Sequence, residues 1–248
     1  MLDTDRVTLW RKWRNRLGSF ADGSISPMET QVFNSIRKGK VAKGSLVDRK
    51  SRFIALVKAV ASPEEAKSFY EAISHDNLDA RHVVYAWRIL DDADAIHERS
   101  CDDGEPSQTA GLPVLEVLRG EGLVNVCVCV VRYFGGILLG PGGLKRAYAG
   151  CARDALKDAA EEGVLCVVQK QSIFCTSLSY KHMKTFEHLL KSCKGTIINR
   201  SYEDEIKLRC AVPSSNASSF NESFQDVFRR EISLENEGSA YGEVHGES

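Results

Sequence analysis

The chain has 248 residues and a mass of 27.5 kDa, enough for one or two domains with buried cores. It is 43% hydrophobic and 27% charged, a balance that excludes a largely disordered chain. The formal net charge is -1, so binding to nucleic acid or to an anionic membrane would require a local basic patch.

The amino-terminal segment is basic. Residues 1–43 contain nine Lys or Arg and four Asp or Glu, nine minus four giving +5, and we assign 1–40 as a basic amino-terminal arm. Apolar residues at helical spacing predict a short amphipathic helix within it: Leu9, Trp10, Trp13 and Leu17. This helix could pack on the protein surface, contact a partner or RNA, or act as a targeting segment. The acidic residues Asp3 and Asp5 count against targeting.

A regular alternation of strands and helices begins at residue 41. The pattern predicts strands at 41–48, 52–60, 82–90 and 124–133, a helix capped by Ser62, and helices at 112–119 and 141–162. Residues 91–111 are predicted to form a long polar loop. The apolar run at 123–131 is far shorter than the roughly 20 residues of a membrane-spanning helix, so we expect no membrane span.

The last third of the chain has a different order of elements. The pattern predicts strands at 165–177, 196–202, 205–212 and 232–235, and helices at 180–193 and 214–229. This β-α-β-β-α-β order is that of a ferredoxin-like unit. We therefore expect domains at 41–163 and 164–236, divided near Gly163. Residues 237–248 are predicted to be a frayed acidic tail, because this end of the chain has several glutamates and no Lys or Arg.

The predicted loop carries three carboxylates in four residues, Asp102, Asp103 and Glu105, around Gly104. One hypothesis is a Mg²⁺ site, since carboxylates and water are common ligands of that ion. The other is that the aspartates accept hydrogen bonds from turn amides. From the residues alone we favour the second, and we predict no metal and no other cofactor.

Five glycines follow the buried strand that contains Arg132, and two cations follow the glycines. The predicted phosphate-binding residues are Arg132, Gly135, Gly136, Gly140, Gly142, Gly143, Lys145 and Arg146. Backbone N–H groups at a glycine-rich helix start can hold an anion. The spacing is not that of a Walker loop, because Pro141 stands where the lysine belongs. Close packing of helix on strand would also explain the glycines.

No catalytic residue is predicted. The eight cysteines are expected to be unpaired, mostly buried thiols of an intracellular protein. Cys127 and Cys129 lie on one face of a strand, which favours a core position over zinc binding. Cys101 and His97 could form a nucleophile and base, but nothing beside them suggests an orienting group. His82 is interpreted as a hydrogen-bonded histidine at the edge of the core.

Several motifs in one order resemble the IMPACT/YigZ family. They are KSRFIA at 50–55, His82 with Tyr85, DDGEPSQTAGLP at 102–113, NVCVCVVRYFGGILLG at 125–140 and GGLKRAY at 142–148. The resemblance covers about Val41 to Glu162. It implies an α+β fold in which a β-β-β-α-β-α domain, similar to ribosomal-protein domains and to domain four of elongation factor G, precedes a ferredoxin-like β-α-β-β-α-β domain.

The resemblance also implies a function. The family's eukaryotic relative restrains the stress kinase that shuts down translation initiation, by competing for the kinase's activator. We therefore expect a non-enzymatic, cytoplasmic regulator of translation and the stress response, with RNA, the ribosome or such an activator protein as partner and no membrane. The alternatives are a small-molecule phosphotransferase of the galactokinase and homoserine kinase type and a pure protein-interaction module. The kinases have serines after the glycines, where this chain has Leu144, Lys145 and Arg146.

Overall fold

The fold is described by a computed structural model that covers residues 32–244, except 92 and 230. The amphipathic helix expected in the arm lies outside the described residues. Within them, the chain divides into two compact units, the first comprising 33–167 and the second Val32 with 168–244. Each unit contains helices and a β-sheet, so the predicted α+β class is confirmed.

The first unit is built on a five-stranded antiparallel sheet. In chain order, the elements up to the end of this unit's last helix are β1 (Val32–Ile36), β2 (Val41–Asp48), β3 (Ser51–Ala59), α1 (Pro63–Asp76), β4 (His82–Leu90), β5 (Ile96–Cys101), α2 (Gly111–Gly120), β6 (Val126–Tyr133) and α3 (Gly140–Glu161). The sheet order is β2-β3-β6-β4-β5, with β6 in the centre. Because successive side chains of a strand point to opposite faces, β6 is buried on both sides.

The two faces of β6 belong to different cores. Val128 and Val130 are buried in the cluster that contains α2 and α3. Cys127, Cys129 and Val131 are buried in the cluster that contains α1. The expectation that both cysteines share one buried face is therefore confirmed.

Helix α3 lies across the outer strand of the sheet. A Cβ on Gly44 of β2 would come within 2.2 Å of the backbone nitrogen of Ala155, so only glycine permits this approach. Asp154 and Asp158 of α3 accept hydrogen bonds from the backbone N–H groups of Ser45 and Lys43, at 3.0 and 3.1 Å. Two amides of an edge strand, which would otherwise be open to another strand, are thus occupied.

The first unit departs from the predicted elements in one way. Helix α1 follows the second strand of the sheet, as the Ser62 cap predicts, whereas the predicted loop at 91–111 contains a further strand, β5. None of β5 is fully buried: three of its six residues are exposed and three are half-buried. Its sequence, IHERSC, lacks the apolar alternation that identifies a half-buried strand. It forms because β4 offers a free edge, with Tyr85 opposite Cys101 and Leu90 opposite Ile96.

The assignment of residues 1–40 as an arm is also corrected at its end. Residues 32–36 form β1, which pairs with β7 (Leu165–Leu178), a strand that begins in the first unit. The Arg37 N–H donates to the carbonyl of Val164 at 2.9 Å, and the Val124 N–H donates to that of Asn34 at 2.9 Å. Both partners are more than 80 residues away, so local sequence could not indicate the strand.

The second unit has the predicted β-α-β-β-α-β order. After β7 come α4 (Met183–Ser192), β8 (Thr196–Tyr202), β9 (Ile206–Pro213), α5 (Ala217–Val227) and β10 (Leu234–Glu243). β7 pairs with both β9 and β10, and β8 lies outside β9. The core is aromatic, with Phe186, Phe220 and Phe224 fully buried between the helices and the sheet.

The predicted acidic tail is wrong over most of its described length. β10 continues to Glu243, where the pattern predicts a strand that ends at Glu235. Its residues are mostly exposed, so they show no buried stripe, and backbone pairing with β7 holds them instead. Arg209 also donates a 2.7 Å hydrogen bond to Glu237, which offsets part of the acidic charge.

The cysteine prediction is confirmed for burial: six of the eight thiols are buried, and Cys101 and Cys175 are half-buried. All eight are free in the structure. Among the described residues, no helix combines the length and apolar character needed to cross a bilayer.

Candidate functional site

Asp102 organises the loop between β5 and α2. Its Oδ1 accepts hydrogen bonds from the N–H groups of Ala110 and Gly111, at 3.0 and 2.8 Å, and its Oδ2 accepts one from Gln108 at 2.7 Å. These amides include the first of α2, whose N-cap residue Ala110 has no side-chain acceptor. The carboxylate therefore caps the helix from a distance, as the turn-amide hypothesis predicts.

Asp103 joins the same loop to the start of β4. Its Oδ2 accepts a 2.6 Å hydrogen bond from the Val83 N–H, and its carbonyl accepts one of 2.6 Å from Nδ1 of His82. Because a carbonyl only accepts, Nδ1 carries the proton and Nε2 is left with a lone pair when the ring is neutral. The prediction of a hydrogen-bonded histidine at the core edge is confirmed.

Glu105 lies at the centre of a buried polar cluster. Its Oε1 accepts hydrogen bonds from the Arg132 guanidinium and, at 2.7 Å, from the Tyr148 hydroxyl, and it lies 3.9 Å from Nε2 of His82. Burial, reinforced by the negative charge of Glu105, raises the pKa of Tyr148 above its usual value. The phenol therefore remains a donor to the carboxylate at neutral pH.

Two aromatic rings hold the Arg132 guanidinium. Its central carbon lies 5.5 Å from the ring centre of Phe53 and 5.5 Å from that of Phe134. Arg132 is 5% exposed, and its Nε has no hydrogen-bond partner among the residues that the structure describes. Strand pairing places Arg132 opposite both Phe53 and His82. The register of the sheet therefore fixes the relative positions of these three residues.

These groups lie at an open pocket of about 560 Å³ in the first unit. Its walls come from the start of β4, the acidic loop, the end of β6 and the turn before α3; they include Arg81, His82, Glu105, Arg132, Phe134 and Leu138. Apolar atoms form most of the lining, with the Glu105 cluster among them. The pocket thus combines a carboxylate, a guanidinium and an imidazole with apolar walls, which suits an organic ligand with polar edges.

The glycine loop, residues 135–143, has distinct reasons for its glycines. A Cβ on Gly135 would come within 2.0 Å of the Lys50 backbone, in the turn between β2 and β3. Gly136 and Gly140 have φ values of 83° and 72°, which favour glycine. Gly135 is therefore required by its close approach to the turn between β2 and β3, not by packing of a helix on a strand, and backbone conformation explains Gly136 and Gly140. A loop shaped in this way can still present N–H groups to a ligand.

The start of α3 is basic and exposed. Lys145 and Arg146 are both exposed, and the first turn of this 22-residue helix contains no acidic residue. Arg146 extends back over Gly142, with a guanidinium nitrogen 3.5 Å from where a Cβ would stand. The N-cap residue, Leu139, has no side-chain acceptor for the first amides. Positive side chains and the helix dipole act here in the same direction.

The predicted site residues therefore separate into two groups. Glu105, Arg132 and Gly140 lie together at the pocket, whereas Lys145 and Arg146 lie outside it on the exposed side of α3. Asp102 and Asp103 are occupied by backbone amides. Of the three carboxylates of the acidic loop, Glu105 is the one that contacts a predicted phosphate-binding residue, Arg132.

Several residues at the pocket or bonded to its lining were not predicted from the sequence. Arg81 precedes a predicted strand and is brought in because its N–H donates to the Arg132 carbonyl at 2.8 Å. Arg49, from the turn between β2 and β3, donates to the Leu138 carbonyl at 3.2 Å. The role of the Tyr148 hydroxyl could not be inferred from the sequence, because helical spacing indicates only which residues are buried. Phe134, beside the glycines, was the one available signal of a ring at the site.

The Cys101 and His97 hypothesis is wrong. Both residues lie on β5, four residues apart in an extended strand, which separates them by about 13 Å. His97 Nε2 is instead 2.7 Å from the Asp91 carboxylate. Within the described part of the chain, no three His, Cys, Asp or Glu side chains are arranged to hold a metal ion.

Comparison with known proteins identifies the family. Residues 49–156 match the Impact N-terminal domain, and 176–229 match DUF1949, a domain of unknown function. The IMPACT family member YigZ of Escherichia coli (strain K12) is 36% identical over 186 residues, 75% of this chain and 89% of that protein. The chain belongs to the IMPACT family. The resemblance seen in the motifs is confirmed.

A further relative and a solved structure are also similar to this chain. The protein IMPACT homolog of Saccharomyces cerevisiae (strain ATCC 204508 / S288c) is 35% identical over 122 residues, 48% of this chain and 46% of that protein. A solved structure, described as the crystal structure of an hypothetical protein, has 31% sequence identity and a TM-score of 0.54 and covers 82% of this chain and 96% of that chain. The two matched domains fall in the first and second units respectively.

Proposed function

We propose that this IMPACT family member is a non-enzymatic regulator of translation and the stress response, acting in the cytoplasm through RNA or the ribosome. The observation that carries the proposal is the exposed pair Lys145 and Arg146 at the start of α3, beside the pocket that contains Arg132. Membership of the family supports the link to translation, because the resemblance to its eukaryotic relative implies that role. A translation-regulatory protein, such as a stress-kinase activator, is a further proposed partner.

The phosphate contacts are assigned to the start of α3. The backbone N–H groups of Gly142 and Gly143 lie in the first turn, where an anion is favoured by the unpaired amides and by the helix dipole. Lys145 and Arg146 add two positive charges one turn further on. Each favourable contact with a phosphate releases a counterion, so RNA binding at this point would depend strongly on salt.

Further exposed cations surround the pocket and extend the patch. Arg81 lines the pocket, and Arg49 is bonded to its wall at Leu138. Both are exposed, and with Lys145 and Arg146 on the neighbouring side of α3 they bring the number of exposed cations at or near the pocket to four. A local basic patch of this kind is what a chain of net charge -1 requires to attract a polyanion.

The acidic loop supports a binding role over a chemical one. Asp102 and Asp103 are engaged with backbone amides, and Glu105 is engaged with Arg132 and Tyr148. They hold the loop and the guanidinium in place. The phosphotransferase alternative requires nucleotide consumption, so ATP hydrolysis or transfer to a small-molecule acceptor by the purified protein would favour it.

Ribosome co-sedimentation over a salt series tests the proposal. Purified protein is centrifuged with ribosomes at about 50 to 300 mM salt, and we expect the bound fraction to fall steeply as salt rises. A bound fraction that is independent of salt would contradict phosphate-driven association, and complete absence from the pellet at low salt would remove the ribosome as partner.

A protein-interaction role is favoured by one separate observation. Leu138 is 79% exposed, and Phe134 and Ile137, in the same loop, are 45% and 43% exposed. Neighbouring exposed apolar side chains are typical of surfaces that bind partners. If Ile137→Ala and Leu138→Ala abolish ribosome association at every salt concentration while Lys145→Ala has no effect, the contact is apolar and its partner is a protein.

A further inference from the structure

We propose that the pocket binds one unpaired guanine base of an RNA strand whose phosphates contact Lys145 and Arg146. This inference rests on the proposed function and adds a preference among bases to it. Phosphate contacts position a strand but carry no sequence information, whereas base edges do. The pocket has both the walls and the polar groups for such an edge.

The walls suit the flat faces of a base. Phe134 lines the pocket with a ring that is 45% exposed, and the Arg132 guanidinium supports that ring from beneath at 5.5 Å. Leu138 and Leu139 also line the pocket. Single-stranded RNA is commonly held by stacking of unpaired bases on aromatic side chains. A ring backed by a cation and facing an apolar wall provides such a platform.

The polar part of the pocket is rich in acceptors. Oε1 of Glu105 is occupied by Arg132 and Tyr148, whereas Oε2 accepts no hydrogen bond from any residue in the described ranges. An ionised carboxylate only accepts. His82 Nε2, close to Glu105, presents a lone pair when the ring is neutral, because Nδ1 donates to the Asp103 carbonyl. A ligand therefore has to bring donors.

Guanine has the matching edge. Its N1–H and N2–H₂ groups are adjacent donors, and the two lone pairs of the unoccupied Oε2 of Glu105 can accept both; its neighbouring O6 is an acceptor. The Arg132 guanidinium lines the pocket, and Glu105 is its hydrogen-bond partner among the described residues, so further N–H donors remain for O6. Adenine and cytosine present a ring nitrogen acceptor at the position of the guanine N1–H, which would face the carboxylate unfavourably.

The geometry allows the base and the phosphates to be bound at once. Pro141 and Leu144 of α3 line the pocket, and Lys145 and Arg146 follow directly on the exposed side of the helix. The pocket, at about 560 Å³, has room for a single base with bound water. One strand can therefore place a base in the pocket and its backbone on the start of α3.

Binding of short RNAs by the full-length protein tests this inference. Four fluorescein-labelled decamers of uridine carry U, G, A or inosine at one central position, so that charge and length are equal. We expect the guanine decamer to bind about tenfold more tightly than the adenine or uridine decamers, as measured by fluorescence anisotropy. Inosine lacks the N2 amino group, and we expect it to bind more weakly than guanine.

Two exposed residues of the same loop supply a variant and its control. Phe134→Ala removes the stacking platform and is expected to weaken guanine-decamer binding about tenfold and abolish the preference. Ile137→Ala removes a side chain of similar exposure that does not line the pocket, and the preference is expected to remain. Circular dichroism of each variant establishes that it is folded.

The outcomes separate the inference from the proposed function. If all four decamers bind with equal affinity and a steep dependence on salt, the guanine pocket is overturned while phosphate binding stands. If the preference survives Phe134→Ala, the base is bound elsewhere and the inference is also overturned. If no decamer binds at low salt, the inference fails together with RNA as the partner in the proposed function.

Discussion

Glu105 and Arg132 form an ion pair across 27 positions of sequence, and both side chains are more than nine-tenths buried. A buried charge is costly unless it is paired, so each residue requires the other. Tyr148 supplies a second donor to the same carboxylate oxygen, and two aromatic rings enclose the guanidinium. The pair therefore joins the acidic loop to the central strand and maintains the shape of the pocket.

Removal of one member of this pair is expected to destabilise the first unit strongly. Arg132→Met leaves the Glu105 carboxylate buried without its counterion, and we expect the free energy of unfolding to fall by about 3–5 kcal/mol. Urea denaturation measures it. The control is Lys67→Ala, which breaks the exposed Lys67–Glu71 pair on α1 and is expected to cost no more than about 1 kcal/mol. Equal effects of the two variants would contradict the structural role of the buried pair.

The exposed cations of α3 are expected to account for part of the salt dependence. Lys145→Ala with Arg146→Ala is expected to weaken single-stranded RNA binding and to lower the slope of log affinity against log salt by about 1.4, for two lost phosphate contacts. The matched control is Arg153→Ala with Lys157→Ala, two exposed cations further along the same helix. A slope reduced equally in both double variants would indicate a general charge effect.

Tyr148 provides a prediction about alkaline pH. Burial and the Glu105 charge raise its folded-state pKa above 10.0, so its contribution to stability is complete below the unfolded pKa of about 10 and is lost as pH rises further. Between pH 10 and 11 the wild type is expected to lose up to about 1.4 kcal/mol more than Tyr148→Phe. Urea unfolding at both pH values gives the difference. Parallel losses would show that the phenol ionises equally easily in the folded protein.

The aspartates on α3 are expected to keep β2 from pairing with another chain. Asp154→Ala with Asp158→Ala frees the N–H groups of Lys43 and Ser45, and we expect a stability loss of about 1–3 kcal/mol. Because an open strand edge is a template for pairing, concentration-dependent self-association is expected as well. Light scattering after size-exclusion chromatography measures it. The Arg153→Ala and Lys157→Ala variant is again the control, and an unchanged monomer fraction in both would refute the protective role.

The elements that bury a stripe of apolar side chains could be predicted from local sequence. The β6 run is buried on both faces, and the predicted helix at 141–162 corresponds to α3, whose buried residues include Tyr148 and Cys151. The order of the last third predicted a ferredoxin-like unit, because each of its helices carries a periodic apolar face. The motifs indicated the family. Local periodicity was sufficient for all of these, since it follows directly from which side chains must leave water.

The strands and contacts that depend on distant partners could be recognised only in the folded chain. β5 and β10 contain no fully buried residue and are held by backbone hydrogen bonds to β4 and β7, which leave no apolar pattern in their own residues. The pocket follows the same principle: sheet register brings Arg132 opposite His82, and a loop 27 residues away supplies Glu105. Backbone hydrogen-bonding groups and buried charges are satisfied by whichever partners the fold brings near. These pairings are therefore a property of the folded chain and not of any one segment.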